Sequence, residues 1–385
     1  MGRLTPVPSR AGFERTNLSG EAAYVSFVPA PLPPNPPLDL TDDLVRALAE
    51  ARSDLAALSS AAAHVPSVSL FQTMYVRKEA LLSAQIEGTQ ATLEDILDPG
   101  LDTHANLDAA DVINYVKAMD AGLAGLTDLP LCNRLIQQVH AIMVAGVRGE
   151  DKTPGEFRRS QNWIGGAGST LASARYIPPN VVDMTRAMGD LEQYMNTATE
   201  DPLVAAALIH YQFETIHPFL DGNGRVGRLL IVLYLVARGL LAAPVLYVSL
   251  FLKTNRIEYF DRMTEVRRTG NYEQWVTFFL QGVSLSARDA LAAIDDLAAL
   301  RHADEARITA LGRARFTCAR VLDHCQAYPI VDVPSTARAL GVTFATAAAA
   351  VGRLVDLGIL VPSTTNRRNR VFTYAAYLDI LRQGT

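Results

Sequence analysis

The chain has 385 residues, 49% of them hydrophobic, and a formal net charge of −5. That length suggests two or three domains with ample interior to bury cores, and the acidic balance excludes a chain that coats nucleic acid throughout. Cys132, Cys318 and Cys325 are odd in number and lack metal-ligand spacing, which favours reduced thiols in a cytoplasm.

Residues 1–40 lack a helical period and hold six prolines between Pro29 and Pro37, so they are expected to run extended as a surface strap or linker. From Thr41, an N-cap candidate, the spacing Leu44, Leu48, Ala51, Leu55, Leu58 marks an amphipathic helix. Glu79 to Gly88 reads as helix stopped by the glycine, with Ser83 and Glu87 four apart on one face. Taken alone, Glu87 is a solvated glutamate that even opposes the macrodipole at a helix C-terminus. Thr92-Leu93-Glu94-Asp95 resembles a capping box opening the next helix.

Residues 107–147 read as two helices, with His140 among the apolar positions of the second and hence a core histidine. Gly155 to Gly166 turns β-prone and Arg175-Tyr176-Ile177-Pro178-Pro179 returns extended, a hairpin with a Gly-rich tip. Helices follow over Val181 to Met195 and Pro202 to Thr215. In the second, His210 is read as packing and Glu214 as a group that orients His217 by a hydrogen bond.

The densest chemistry is in His217-Pro218-Phe219-Leu220-Asp221-Gly222-Asn223-Gly224-Arg225-Val226-Gly227-Arg228. The Asp-Gly and Asn-Gly dipeptides favour positive φ just before a helix, so several N–H groups should converge as an anion nest. Arg225 and Arg228 lie three apart and share a helical face, placed to clamp successive phosphates. Asp221 is a hard oxygen ligand suited to Mg²⁺, and His217 can take a proton near neutral pH. Singly these features mark a turn and a structural histidine. Seven fixed positions at roughly 5% usage each, however, coincide by chance about once in 10⁹ starts.

Beyond the motif, Leu229 to Leu252 is apolar but interrupted by Arg238, Gly239 and Pro244, so it reads as a buried helix ending near Arg238 and capped by Gly239, not as a membrane span. Trp275, Phe278 and Phe279 look like core, and residues 283–312 form a long Ala/Leu-rich helix that reads as a spacer. Residues 301–385 hold 11 Arg and no Lys against 6 Asp and Glu, a basic tail module. Within it, Ser335 to Leu360 reads as helix, turn, helix, and Thr364 to Arg370 as a basic wing before Val371-Phe372-Thr373-Tyr374. That is winged-helix organisation, with Arg353 on the candidate reading helix. Ala347 to Ala350 offers little to read base edges, so a DNA contact and a protein-binding role both stay open.

The motif resembles that of the Fic family, His-x-Phe-x-Asp/Glu-Gly-Asn-Gly-Arg-x-x-Arg, at every position, and the resemblance is strong over residues 70 to 285. It implies a mainly α protein that transfers AMP from ATP to a Ser, Thr or Tyr hydroxyl of a target protein or of itself. His217 would be the general base, Asp221 the Mg²⁺ ligand, Gly222, Asn223 and Gly224 the anion nest, and Arg225 and Arg228, with Val226 and Gly227 between them, the phosphate clamp. Ser83-x-x-x-Glu87-Gly88 is similar to the family's inhibitory motif, with Glu87 expected to occupy Arg228 where the ATP γ-phosphate belongs. The hairpin is similar to the family's flap, which would dock the target segment by strand addition and bring Asn162, Trp163, Ile164 and Gly165 to the nucleotide. Asn255 and Tyr259 would be adenosine neighbours.

The domain expectation is an N-terminal helical region over 1–105 with the inhibitory helix at about 79–88, a Fic core over 106–285, a helical spacer over 286–312 and a winged helix over 313–385. Expected partners are a target protein on the flap, DNA through the winged helix and a second copy in a homodimer, with no membrane. Removal of AMP by the same site, and a DNA-binding regulator with a nucleotide-sensing core, are the alternatives.

Overall fold

The computed structural model describes residues 10–64, 68–97, 106–166, 168–363 and 370–383. The N-terminal strap is extended as expected, but it is paired. β1 (Gly12–Asn17) and β2 (Tyr24–Pro29) form an antiparallel hairpin running in register from Gly12 opposite Pro29 to Asn17 opposite Tyr24. The Phe27 N–H donates to the Ile177 carbonyl at 3.0 Å, which joins the hairpin to the segment that returns from the predicted flap.

Helix α1 (Asp42–His64) starts where the sequence signals it, the Leu44 N–H donating to Thr41 Oγ1 at 3.3 Å. Its stripe of Leu44, Ala51, Leu55 and Leu58 is fully buried along α11 (Tyr272–Thr309). Here the spacer expectation is corrected. The helix begins at Tyr272, inside the core, and buries Trp275, Phe279, Val283, Ala287, Ala290 and Ile294. Its apolar period continues across Gly282, so there is one packed helix of 38 residues and no solvated connector.

Between these lie α2 (Val68–Ile86), α3 (Leu93–Leu97), α4 (Leu107–Gly125), α5 (Asn133–Met143), α6 (Val181–Thr197), α7 (Pro202–Ile216), α8 (Asn223–Ala237), α9 (Ser249–Thr254) and α10 (Arg256–Thr269). The predicted capping box is present: the Thr92 N–H donates to Asp95 Oδ2 and the Asp95 N–H to Thr92 Oγ1. Helix α7 is buried from Leu203 to Ile216 and α8 along nearly its whole length. An apolar helix with no polar face belongs at the centre of a bundle, and these two form the central antiparallel pair that carries the motif between them. Helix α8 stops at Ala237, and no single helix among the described residues is long and apolar enough to cross a membrane.

The C-terminal unit comprises α12 (Arg315–Ala327), β3 (Ile330–Asp332), α13 (Val333–Leu340), α14 (Phe344–Asp356), β4 (Val361–Pro362), β5 (Val371–Thr373) and α15 (Ala375–Arg382). Its strands make a small antiparallel sheet in the order β3-β5-β4. Of the predicted basic wing, Thr364 to Asn369, with Arg367 and Arg368, lie outside the described residues. The unit is tied to α2, where Arg77 Nη1 donates to the Ala327 carbonyl and Lys78 Nζ to the Gln383 carbonyl, each at 2.9 Å.

Candidate active site

Helix α7 ends at His217, whose backbone adopts the left-handed conformation at φ 51° while its N–H still bonds the Phe213 carbonyl at 2.9 Å. The loop that follows is braced on three sides. Asn223 returns to Phe219, accepting its N–H at Oδ1 and donating from Nδ2 to its carbonyl, both at 2.8 Å. The Phe219 ring stacks on His140 with centroids 3.7 Å apart. His140 Nδ1 accepts the Gly155 N–H at 2.9 Å, so the ring proton is on Nε2 and is donated to the Asp221 carbonyl at 3.1 Å. Burial depresses this histidine to about 4, which keeps it in that neutral tautomer.

The third brace is Arg158, which is 1% exposed. Its Nε donates to the His217 carbonyl at 3.0 Å, Nη1 to Ser160 at 3.2 Å and Nη2 to Pro179, while its own N–H bonds the Pro218 carbonyl at 2.8 Å. All these acceptors are main-chain carbonyls, so the cation is buried without a carboxylate partner among the described residues. The His217 ring lines a cavity of about 440 Å³ together with Glu87, Gly224 and Arg228. Burial and then the Arg158 charge lower it to about 4, against an opposing pull from Glu87. The imidazole is therefore neutral at pH 7 and able to accept a proton.

Across the cavity, α8 presents its N-terminus. Gly222 takes φ 76° before it, and its first amides have no acceptor within the helix. Glu87 arrives from the end of α2 and sits over this point: a Cβ on Gly224 would stand 2.1 Å from Glu87 Oε1. Only glycine allows the carboxylate that close. The same oxygen accepts from Arg228 Nη2 at 2.8 Å, while Arg228 Nε donates to Ser83 Oγ at 2.8 Å and Nη2 to the Ser83 carbonyl at 3.0 Å. Arg228 is 1% exposed and the Glu87 side chain 38%. Burial raises Glu87, but Arg228, with Arg225 behind it, outweighs that and holds the carboxyl below its ordinary range. The predicted face of Ser83 and Glu87 thus meets the predicted second arginine.

Arg225 is turned elsewhere. It is buried against Asp111 of α4, with Asp221 at 3.6 Å, so its charge is already neutralised from within the protein. Asp111 also receives Thr89 Oγ1 at 3.4 Å, tying the residues after α2 to the same node. Asp221 accepts its neighbouring Gly222 N–H at 2.6 Å and is about a quarter exposed. No cluster of three or more potential metal ligands exists among the described residues. A quarter-exposed carboxylate beside an anion nest, with Arg225 at 3.6 Å and Arg148 at 3.8 Å, still fits Mg²⁺, which takes one or two protein carboxylates and completes its shell with phosphate and water.

Among the described residues the flap pairs through a single bridge, Ile164 opposite Tyr176, with bonds of 2.8 and 3.1 Å. Ile164 and Gly165 line the cavity. Asn162 and Trp163 do not. Asn162 Nδ2 instead donates to the His217 and Phe219 carbonyls at 3.3 and 2.8 Å, bracing the loop, and Trp163, 42% exposed, donates to Ser169 of its own tip. On α10 the expectation is also corrected. Tyr259 is fully buried, its hydroxyl 2.8 Å from His210 Nε2, and Asn255 lines a separate outer groove of about 840 Å³. The residues of α10 that face the cavity are Arg256, Ile257, Phe260, Met263, Thr264 and Arg267, because the helix is rotated so that Tyr259 points into the core. Val226 is likewise core and Gly227 packs against Phe213 and Glu214. Arg158, Asp111 and the bracing role of His140 had no local signal, since each acts on a partner more than 10 residues away in sequence.

Comparison with known proteins agrees with this geometry. The Fic/DOC family model matches residues 130–235 and the Fic/DOC family N-terminal model matches residues 45–124. This chain is a Fic family protein. Protein adenylyltransferase Fic of Aedes aegypti is 35% identical over 127 residues, covering 32% of this Fic chain and 22% of that protein. Its namesake from Drosophila sechellia is 28% identical over 173 residues, covering 44% and 32%. The Fic chain therefore spans about a third or less of these relatives' own length. In fold it is similar to a Fic family protein from Desulfovibrio desulfuricans G20, with a TM-score of 0.57 at 20% identity, covering 88% of this chain and 97% of that one.

Proposed function

We propose that this Fic protein transfers AMP from ATP to a hydroxyl side chain of a target protein, or of itself, and that Glu87 restrains the reaction. One observation carries this reading: a neutral His217 and the Glu87–Arg228 pair face each other across one cavity at the N-terminus of α8. The hydroxyl oxygen would form its bond to the α-phosphorus as the bond to the β-phosphate oxygen breaks. His217 would take the hydroxyl proton, and pyrophosphate would leave. The α8 amides and Arg228 would bind and orient the phosphates and stabilise charge on the leaving group. Asp221 would hold Mg²⁺, which supplies charge neutralisation on those phosphates when bound. With Glu87 in place, Arg228 is occupied and a negative charge lies where a phosphate must go.

The test is incubation of wild type, His217→Ala and Glu87→Gly with labelled ATP. Glu87→Gly should raise label transfer and His217→Ala abolish it; equal labelling by all three overturns the proposal. The half-exposed Glu87 carboxylate also supports a second reading, in which it orients a water that removes AMP. Release of AMP from a modified protein by wild type, lost in Glu87→Gly, would favour that direction. The C-terminal unit we read as a winged helix; salt-dependent binding of a random duplex would support a DNA contact, and a flat response would remove it.

A further inference from the structure

Glu214 is the acid in this cavity that the reaction above does not use. It lies on α7, three residues before His217, is 7% exposed and lines the cavity wall. Its Oε1 is buried without a hydrogen-bond partner. It rests against α8 at Gly227, where a Cβ would stand 2.5 Å from it, so a side chain at 227 would displace the carboxyl. It makes no ion pair with Arg228, whose acidic partner is Glu87, and no hydrogen bond joins its carboxyl to the His217 ring, which meets the Glu214 main chain instead. Burying a carboxyl with its bonds unmade is costly. Oε1 is the oxygen packed on Gly227, which leaves the second oxygen of the carboxyl to meet a ligand in the cavity that Glu214 lines.

Resting on the adenylyl-transfer reading, we infer that Glu214 is the residue that recognises the nucleotide's sugar, by accepting a hydrogen bond from a ribose hydroxyl. When ionised, this carboxyl repels phosphate and accepts only from O–H or N–H. The position then decides which. The amides at Gly222 to Gly224 take phosphate, and the apolar side of the cavity, Ile164, Phe260 and Met263, suits a flat base. Gly227, where Glu214 rests, is three residues further along α8 from Gly224, about 4.5 Å at 1.5 Å per residue. That is the level between phosphate and base, which in a nucleotide is the sugar. Burial raises Glu214 to about 7, and a hydroxyl can bond either protonation state, donating to the carboxylate or accepting from the acid. With one oxygen packed against Gly227, a single hydroxyl is read.

The experiment uses the full chain with Glu87→Gly and compares ATP, 2′-deoxy-ATP, 3′-deoxy-ATP and GTP, by label transfer and, separately, by calorimetric binding. One of the two deoxy analogues should fall at least about tenfold below ATP in kcat/KM and in affinity, because a site built around a hydroxyl rejects the analogue lacking it. Adding Glu214→Ala should collapse that ratio to within a factor of two or so, and Glu214→Gln, which keeps the shape and an acceptor, should retain most of it. The inference is overturned if ATP and both deoxy analogues are handled alike, if Glu214→Ala lowers all nucleotides by one factor, or if it alters ATP against GTP and not the sugars. Should ATP bind without transfer, the transfer reading falls while the sugar preference is still read from affinities. Should ATP not bind at all, both fall.

Discussion

Glu87 and Arg228, 141 positions apart in the chain, meet at 2.8 Å over the first turn of α8. The pair is asymmetric, with the arginine buried and the carboxylate partly open to the cavity. Removing Glu87 strips the arginine of its counter-charge but leaves both Ser83 contacts. Glu87→Gly should therefore cost only about 1–2 kcal/mol of stability, less than a fully buried pair would. The same variant should bind ATP more tightly by on the order of 10- to 100-fold, an added phosphate charge replacing the lost carboxylate. Thermal unfolding with and without Mg²⁺-ATP checks both. A nucleotide-induced Tm shift no larger in the variant than in wild type would separate the pair from any gating role.

Arg158 and His217 give a second expectation, with the sign fixed by charge. A cation near an imidazole disfavours its protonated form, and Arg158 follows burial as a cause of the low His217 value of about 4. In a Glu87→Gly background, label transfer should stay flat from pH 8 to about pH 6 and lose activity on an acid limb lying well below the ordinary histidine value of about 6.5. Arg158→Met should move that limb upward and, with carbonyls left unbonded, cost about 2–4 kcal/mol. Arg158→Lys keeps the charge and should move the limb less. A limb that does not respond to the Met variant would leave Arg158 as a structural brace alone.

Legibility in the sequence followed locality. Helices α1, α7 and α8 were readable because their caps and apolar periods are written within one stretch, as were the Asp-Gly-Asn-Gly turn and the pairing face of Ser83 and Glu87. What stayed hidden depended on partners far off in the chain. Arg158, beside Arg159 in the β-prone stretch, carries no local signal of its three main-chain acceptors. Tyr259 looked like a ligand contact, yet a single helical rotation of α10 buries it on His210 and turns Phe260 and Met263 to the cavity. The β1–β2 hairpin was masked by its proline-rich sequel, which carried the local signal of an unpaired strap. The expected boundary between core and spacer at 285/286 falls inside α11, which buries Phe279 and Val283 before it and Ala287 and Ala290 after it.

Glu79 supplies a stability prediction independent of any ligand. It is wholly buried, accepts the Ser249 N–H at 3.1 Å and the Ser249 hydroxyl at 2.5 Å, and burial still raises it to about 7 against those bonds. Between its unfolded value near 4.5 and 7 the native state binds the extra proton, so its contribution to stability falls as pH rises through that window and is constant above it. Glu79→Gln removes this slope. Relative to wild type, the variant should gain roughly 2–3 kcal/mol on going from pH 5 to pH 8, whatever fixed amount it loses to imperfect bonding with Ser249. Denaturant titrations of both proteins at the two pH values give the difference, and equal differences at pH 5 and pH 8 would mean Glu79 is already ionised in the fold.

The final expectation concerns the seam between α2 and the C-terminal unit. Helix α2 carries Ser83 in its last turn and leads straight into Glu87, and one to two turns before Ser83 Arg77 reaches the Ala327 carbonyl and lies over the Tyr328 ring at 5.4 Å, while Lys78 reaches Gln383. Just after α2, Glu94 pairs with Arg382 of α15. Arg77 and Glu87 are ten residues apart, nearly three turns of a stiff helix, so a shift at Arg77 is passed along α2 to Glu87 just beyond its end. Arg77→Ala and Arg382→Glu, neither of which touches the cavity, should each loosen this seam and raise label transfer roughly three- to tenfold, about 0.7–1.4 kcal/mol of bias. Glu87→Gly should exceed both, and adding either change to Glu87→Gly should bring no further gain, since there is no carboxylate left to withdraw. A gain that persists in the double variants would show that the seam acts on the site by a route other than Glu87.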